Sequence, residues 1–175
     1  MARRMSWRRV LTGAAVAVVV IAAMFAVRGV LAWISAAGDE DLDTAKARDE
    51  ALRAGRQHVA ELTTMDHEDV EGGLRRWLDV ATGPLRSELE DTEPATLSAV
   101  EQAGTVATGT VLTAGLSEFN AEAGTATLLA SVEVTTARES ADPVFARNRY
   151  RAQLRHTDDG WKVASFEPIP TGGAS

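Results

Sequence analysis

Between Thr125 and Ala137 the chain reads TATLLASVEVTTA. Ala126, Leu128, Ala130, Val132 and Val134 alternate there with Thr127, Ser131, Glu133 and Thr135, the period of two expected of a strand with one covered face. The pattern returns downstream, where Tyr150, Ala152 and Leu154 stand against Arg147, Arg149, Arg151 and Arg155 in a strand expected from Val144 to His156. Asp158-Asp159-Gly160 supplies a hairpin turn into a last strand, Trp161 to Glu167. Upstream, Thr105 to Leu116 is rich in threonine, valine and alanine and is expected to be the first strand. The carboxyl-terminal half therefore reads as a meander of four antiparallel strands.

The residues before Gly104 follow a different period. Val70, Leu74, Trp77, Leu78 and Ala81 recur at helical spacing behind Asp66, which is expected to cap them. Gly83-Pro84 breaks that helix and opens another carrying Leu85 and Leu89. A further helix is expected from Glu93 to Ala103, with Thr92 as its cap and Gly104 as its stop. Between Asp39 and Leu62 acids lead and bases follow, which suits a helix dipole, with Ala45, Leu52, Val59 and Leu62 on one side and Gly55 as a weak point. Helices first and a sheet afterwards make an α+β domain.

The first residues have another purpose. Val10 to Val27 reads VLTGAAVAVVVIAAMFAV, 18 residues without a charge, or about 27 Å of helix. With Arg28 snorkelling and Val30, Leu31, Trp33 and Ile34 beyond it, a span of residues 10–34 crosses a bilayer. Four arginines precede it and Asp39, Glu40, Asp41 and Asp43 follow, so the positive-inside bias places the amino terminus in the cytoplasm. Residues 1–9 are then a basic cytoplasmic tail, 35–44 a linker, 45–169 an extracytoplasmic domain and 170–175 a flexible tail. A cleaved export signal ending near Ser35-Ala36-Ala37 is the alternative; the length of the apolar run favours retention.

Charge and composition narrow the partners. The formal net charge is −7, yet residues 1–28 hold Arg3, Arg4, Arg8, Arg9 and Arg28 and no acid, so removing that +5 leaves −12 on the rest. Nucleic-acid phosphates and anionic lipid surfaces repel such a domain. No cysteine is present, which excludes disulfides, thiolate metal sites and thiol nucleophiles.

Leu62-Thr63-Thr64-Met65-Asp66, Trp77-Leu78-Asp79-Val80-Ala81-Thr82-Gly83-Pro84-Leu85, Thr108-Gly109-Thr110-Val111-Leu112, Asn148-Arg149-Tyr150 and Gly160-Trp161-Lys162-Val163 carry a family likeness. In this order, behind an anchor, they resemble the Mce-associated membrane proteins of actinobacteria. The resemblance covers the anchor and nearly all of the domain. It implies a cone-shaped fold like nuclear transport factor 2, with helices laid on a curved sheet, and an accessory role in complexes that import lipids across the envelope.

Candidate chemistry is sparse. Asp66, His67 and Glu68 cluster where a cone-fold enzyme could place a general base, against the plainer reading of a cap with solvated neighbours. His58 and His156 read as surface residues, and no histidine or carboxylate spacing marks a metal site. The row Arg147, Arg149, Arg151 and Arg155 could receive an acidic partner or a lipid headgroup; the plainer reading pairs it with Glu133 or Glu139 across strands. Trp77, Phe119, Tyr150 and Trp161 could line a lipid-sized cavity or simply fill the core.

The expectation is therefore a non-enzymatic accessory subunit without cofactor or metal, bound to envelope proteins of a lipid importer. Two alternatives stand beside it: a pocket-bearing lipid carrier or anchored enzyme, and an assembly scaffold like the VirB-type subunits of secretion systems. No residue argues for or against a homo-oligomer.

Overall fold

The computed structural model describes residues 42–138 and 141–170. The chain divides into two units, Met1–Ala45 and Lys46–Ser175. The second is an α+β domain. Helix α1, whose described part is residues 42–62, leads into strand β1 (Met65–Asp66) and then helices α2 (Val70–Val80), α3 (Gly83–Glu90) and α4 (Pro94–Ala103). Strands β2 (Thr105–Asn120), β3 (Thr125–Arg138), β4 (Ala141–Thr157) and β5 (Gly160–Pro168) complete it. The sheet runs β1-β2-β3-β4-β5 with antiparallel neighbours throughout.

The sheet thus has five strands where four were expected. The extra one, Met65–Asp66, pairs with Ala107 and Val106 at the edge beside β2. Two residues are too few for a period of two to register, and they lie between two helices, where a cap was expected instead.

The alternation in β3 sorts as its residue types require. Ala126, Leu128, Ala130 and Val132 are buried, while Thr125, Leu129 and Arg138 are exposed. Tyr150, Ala152 and Leu154 of β4 share the covered side with Trp161 and Val163 of β5. Register shifts at Val111/Thr113 and Leu116/Glu118 in β2, and at Gln153/Leu154 beside β5, interrupt the ladders. Such bulges let long strands bend.

Helix α1 lies on this covered face through Ala51, Val59 and Leu62. Gly55, read from sequence as the helix's weak point, is buried there. A Cβ on it would come within 2.8 Å of Leu154 Cδ1 and 3.1 Å of Leu128 Cδ2, so its bare backbone permits the close approach. Helix α2 is capped by Asp69, whose carboxylate accepts the Gly72 N–H at 3.1 Å. The expected cap, Asp66, instead accepts the Glu68 N–H at 2.9 Å within the preceding turn. At the α2–α3 junction Thr82 donates its N–H to the Val163 carbonyl at 2.8 Å, fastening the break to β5. Glu93 and not Thr92 stands at the N-cap of α4, and Thr92 donates its hydroxyl to the Glu88 carbonyl. Gly104 ends α4 in the left-handed conformation, as its place in the sequence requires.

Among the described residues no helix is long and apolar enough to cross a membrane. The expected span, residues 10–34, lies outside the described residues, as do the cytoplasmic tail and most of the expected linker and carboxyl-terminal tail.

Candidate functional site

Helices cover one face of the sheet, and the other carries the arginine row. With Tyr150, Ala152 and Leu154 directed into the core, alternation sends Arg147, Arg149, Arg151 and Arg155 outward, and all four are exposed. Arg147 Nε donates to Glu133 Oε2 at 3.1 Å across β3. Arg149 stands opposite Ser131, Arg151 opposite Leu129, and Arg155 opposite Thr125. None of those three neighbours is a carboxylate, and among the described residues no ion pair reaches Arg149, Arg151 or Arg155. On the β5 side Arg151 faces Glu167, and Arg155 faces Lys162, which pairs with Asp159 at 3.4 Å. Thr110 and Thr113 of β2 and the exposed Leu129 of β3 extend the uncovered face.

Strand β4 outruns β5. Its pairs with β5 cover Tyr150 to Thr157, and one further bond joins the Ile169 N–H to the Arg149 carbonyl at 2.8 Å. From Ala141 to Asn148 no described strand lies on that side, and every residue there is exposed. Val144 and Phe145 are 64% and 65% exposed, the most exposed large apolar residues of the domain. Sequence reading missed this edge, because strand lengths were taken from hydrophobic alternation, which stops near Val144.

The aromatic residues considered as cavity lining are dispersed. Trp77 donates its indole N–H to the Glu61 carbonyl at 2.9 Å and to the Thr64 carbonyl at 3.1 Å, tying α2 to the end of α1. Tyr150 stacks on Phe166 with ring centroids 4.6 Å apart. Phe119 lies 5.9 Å from Trp161, which is buried. A pocket of about 330 Å³ opens at the β2–β3 hairpin, bordered by Glu118, Phe119 and Arg155 and by the core residues Ala126, Leu154 and Ala164. Phe119 is the member of the aromatic set that borders it.

Titratable groups are engaged structurally. His58 Nε2 bonds the Trp161 carbonyl at 2.8 Å, and burial pushes its pKa below the ordinary histidine value. His67 Nδ1 lies 3.6 Å from Asp66 Oδ1. Arg76 bridges Asp69 and Glu61, each at 3.1 Å, and holds the Asp69 carboxyl below its usual range. Among the described residues no three of His, Asp and Glu come together as a metal-holding group.

With this geometry defined, comparison with known proteins places the chain. The family model described as uncharacterized protein Rv1363c/MT1408-like matches residues 10–170. The chain is 26% identical over 181 residues to the uncharacterized protein Rv1363c of Mycobacterium tuberculosis (strain ATCC 25618 / H37Rv), an alignment covering 97% of this chain and 67% of that one. Among solved structures, an IcmL-like type IV secretion system protein from Legionella pneumophila superposes with a TM-score of 0.58 at 9% identity, over 70% of this chain and 94% of its own. The periplasmic domain of DotI superposes with a TM-score of 0.56 at 14% identity, over 69% and 93%. At such identities the likeness shows the fold, the nuclear transport factor 2-like arrangement of helices on an antiparallel sheet. A match that spans residues 10–170 establishes the kinship: the chain belongs to the Rv1363c/MT1408-like family.

Proposed function

We propose that this chain is a non-enzymatic assembly subunit of an envelope complex, anchored by residues 10–34 with its amino terminus in the cytoplasm and residues 45–169 outside. The observation that carries the reading is the uncovered outer face of the sheet. It presents Arg149, Arg151 and Arg155 without an ionic partner among the described residues, on a domain that is otherwise acidic. A carrier or enzyme on this fold would need the space between helices and sheet, and there Val59, Leu128, Val132, Leu154 and Val163 are fully buried against one another. The likeness to an IcmL-like secretion system protein and to a periplasmic domain favours a scaffold of the secretion-system kind. An accessory role in Mce-type lipid import is the second reading, and the five motifs quoted above favour it.

The test is purification of the full chain from its native envelope in mild detergent, beside the Arg149→Ser/Arg151→Ser variant. Envelope proteins should accompany the unaltered chain and be lost from the variant. Mce-type substrate-binding proteins and a permease would select lipid import, and secretion components would select the scaffold. A stoichiometric lipid with no protein would overturn the assembly reading in favour of a carrier.

A further inference from the structure

We propose that the edge of β4 from Ala141 to Asn148 is a docking site for an extended acidic segment of a partner protein, which joins the sheet beside β4. The inference rests on the assembly reading and names the partner chemistry of that same surface.

The backbone supplies the first half of the argument. Because the Arg149 carbonyl accepts from Ile169, the polar groups of Arg149 point away from β3. Alternation then turns the N–H and C=O groups of Arg147 and Phe145 to the same open side, up to the register shift that lies between Val144 and Ala141. An unpaired row of this kind is a template for another strand. The protein blunts its outermost strand differently: Pro168 ends β5 where alternation directs the missing N–H outward. The β4 segment leaves Phe145 and Arg147 as donors on its open side.

Side chains supply the second half. A strand laid antiparallel along this edge places one residue about 5 Å from Arg147 on the outer face, with Arg149 on the diagonal. Arg147 spends its Nε on Glu133 and is 73% exposed, and among the described residues its two terminal nitrogens have no carboxylate partner. Phe145 lies on the same face, while Val144 and Ala146 meet the inner side of the added strand. The segment that fits therefore carries carboxylates toward the arginines and apolar residues elsewhere. A second copy fits worse. Pairing two β4 edges about a twofold axis would set two arginine rows side by side on one sheet face, where like charges oppose association.

The experiment uses the full chain in detergent micelles and two ten-residue peptides, one alternating valine with glutamate and one alternating valine with lysine. Amide hydrogen exchange is read residue by residue by NMR. The glutamate peptide should slow exchange at Phe145 and Arg147 at least tenfold while leaving Val144 and Ala146, which already face β3, unchanged. The lysine peptide should bind at least tenfold more weakly. Arg149→Glu, which leaves the Arg147 to Glu133 bond intact, should reduce or reverse that preference. Equal protection by both peptides would overturn the proposal, as would slow exchange at Phe145 and Arg147 before any peptide is added. If the native purification still recovers envelope proteins after such a result, the edge site fails and the assembly reading stands. Selective peptide binding with no co-purifying protein would uphold the edge site and sink the assembly reading.

Discussion

A methyl group added at Gly109 would collide with the Thr63 side chain and lie 3.2 Å from the Ala60 carbonyl. Gly109 also donates its N–H to Thr64 Oγ1 at 3.1 Å, and that hydroxyl in turn donates to the Ala60 carbonyl at 2.8 Å, so the Thr64 side chain joins β2 to the end of α1 at this point. Gly109→Ala should therefore cost about 1–3 kcal/mol through overpacking. Gly115, on the same strand, has open space where its Cβ would be, and Gly115→Ala should stay within about 0.5 kcal/mol. Denaturant unfolding of the full chain in micelles measures both, and equal losses would refute the seam. His58 offers a test by pH. Its Nε2 must carry the proton it donates to the Trp161 carbonyl, and in the neutral ring this leaves a buried Nδ1 with no partner. Burial lowers the folded pKa below the unfolded 6.5, so below that pH the unfolded chain takes up the proton first. Stability should then be unaffected by His58 above pH 6.5 and fall as pH drops from 6.5 toward the folded pKa. His58→Gln keeps a donor for the carbonyl and cannot titrate, so it should flatten that part of the stability curve; an unchanged slope would assign the effect elsewhere.

Among the elements, Trp77 does more than fill α2. Its indole N–H reaches the Glu61 carbonyl, which also accepts the Thr64 N–H, and the Thr64 carbonyl just past the end of α1. Trp77→Phe keeps the ring and removes the donor, and should lower stability by about 1–2 kcal/mol. The check is the denaturation midpoint, together with faster amide exchange over residues 59–64; a change at neither would show the bond idle. Trp77's helical spacing was legible in the sequence, but its partners were not, since they come from the end of α1 and the turn after it, 16 and 13 residues away. The same division holds for the sheet. Alternation in β3 and β4 sufficed to send Leu128 and Leu154 inward and the arginines outward, because the period depends only on chain geometry. β1 escaped notice because two residues show no period, and Asp69 lost its role to Asp66 because both stand within reach of a helix start. Gly55 was read for its helix propensity when its contact with Leu128 and Leu154 decides its place. The open edge of β4 depends on where a neighbouring strand stops, a relation between two elements that no local pattern encodes.

For the molecule as a whole, the proposed function depends on which side of a membrane the domain occupies. Val10 to Val27 carries no charge, arginines precede it and carboxylates follow it, and these signs argue for an amino terminus inside and a domain outside. The −12 charge of the remainder fits that orientation, since an anionic membrane surface repels it. The absence of cysteine makes the arrangement directly testable, because any thiol introduced is the only one present. In intact cells a membrane-impermeant maleimide should label Ser175→Cys and leave Ser6→Cys unlabelled. After the cells are opened, Ser6→Cys should react on a band of full length. Labelling of Ser6→Cys from outside would invert the orientation and place the arginine row in the cytoplasm. Loss of the Ser6→Cys thiol from the mature band would mean cleavage near Ser35, leaving an unanchored domain whose partner must hold it at the envelope by contacts such as those along β4.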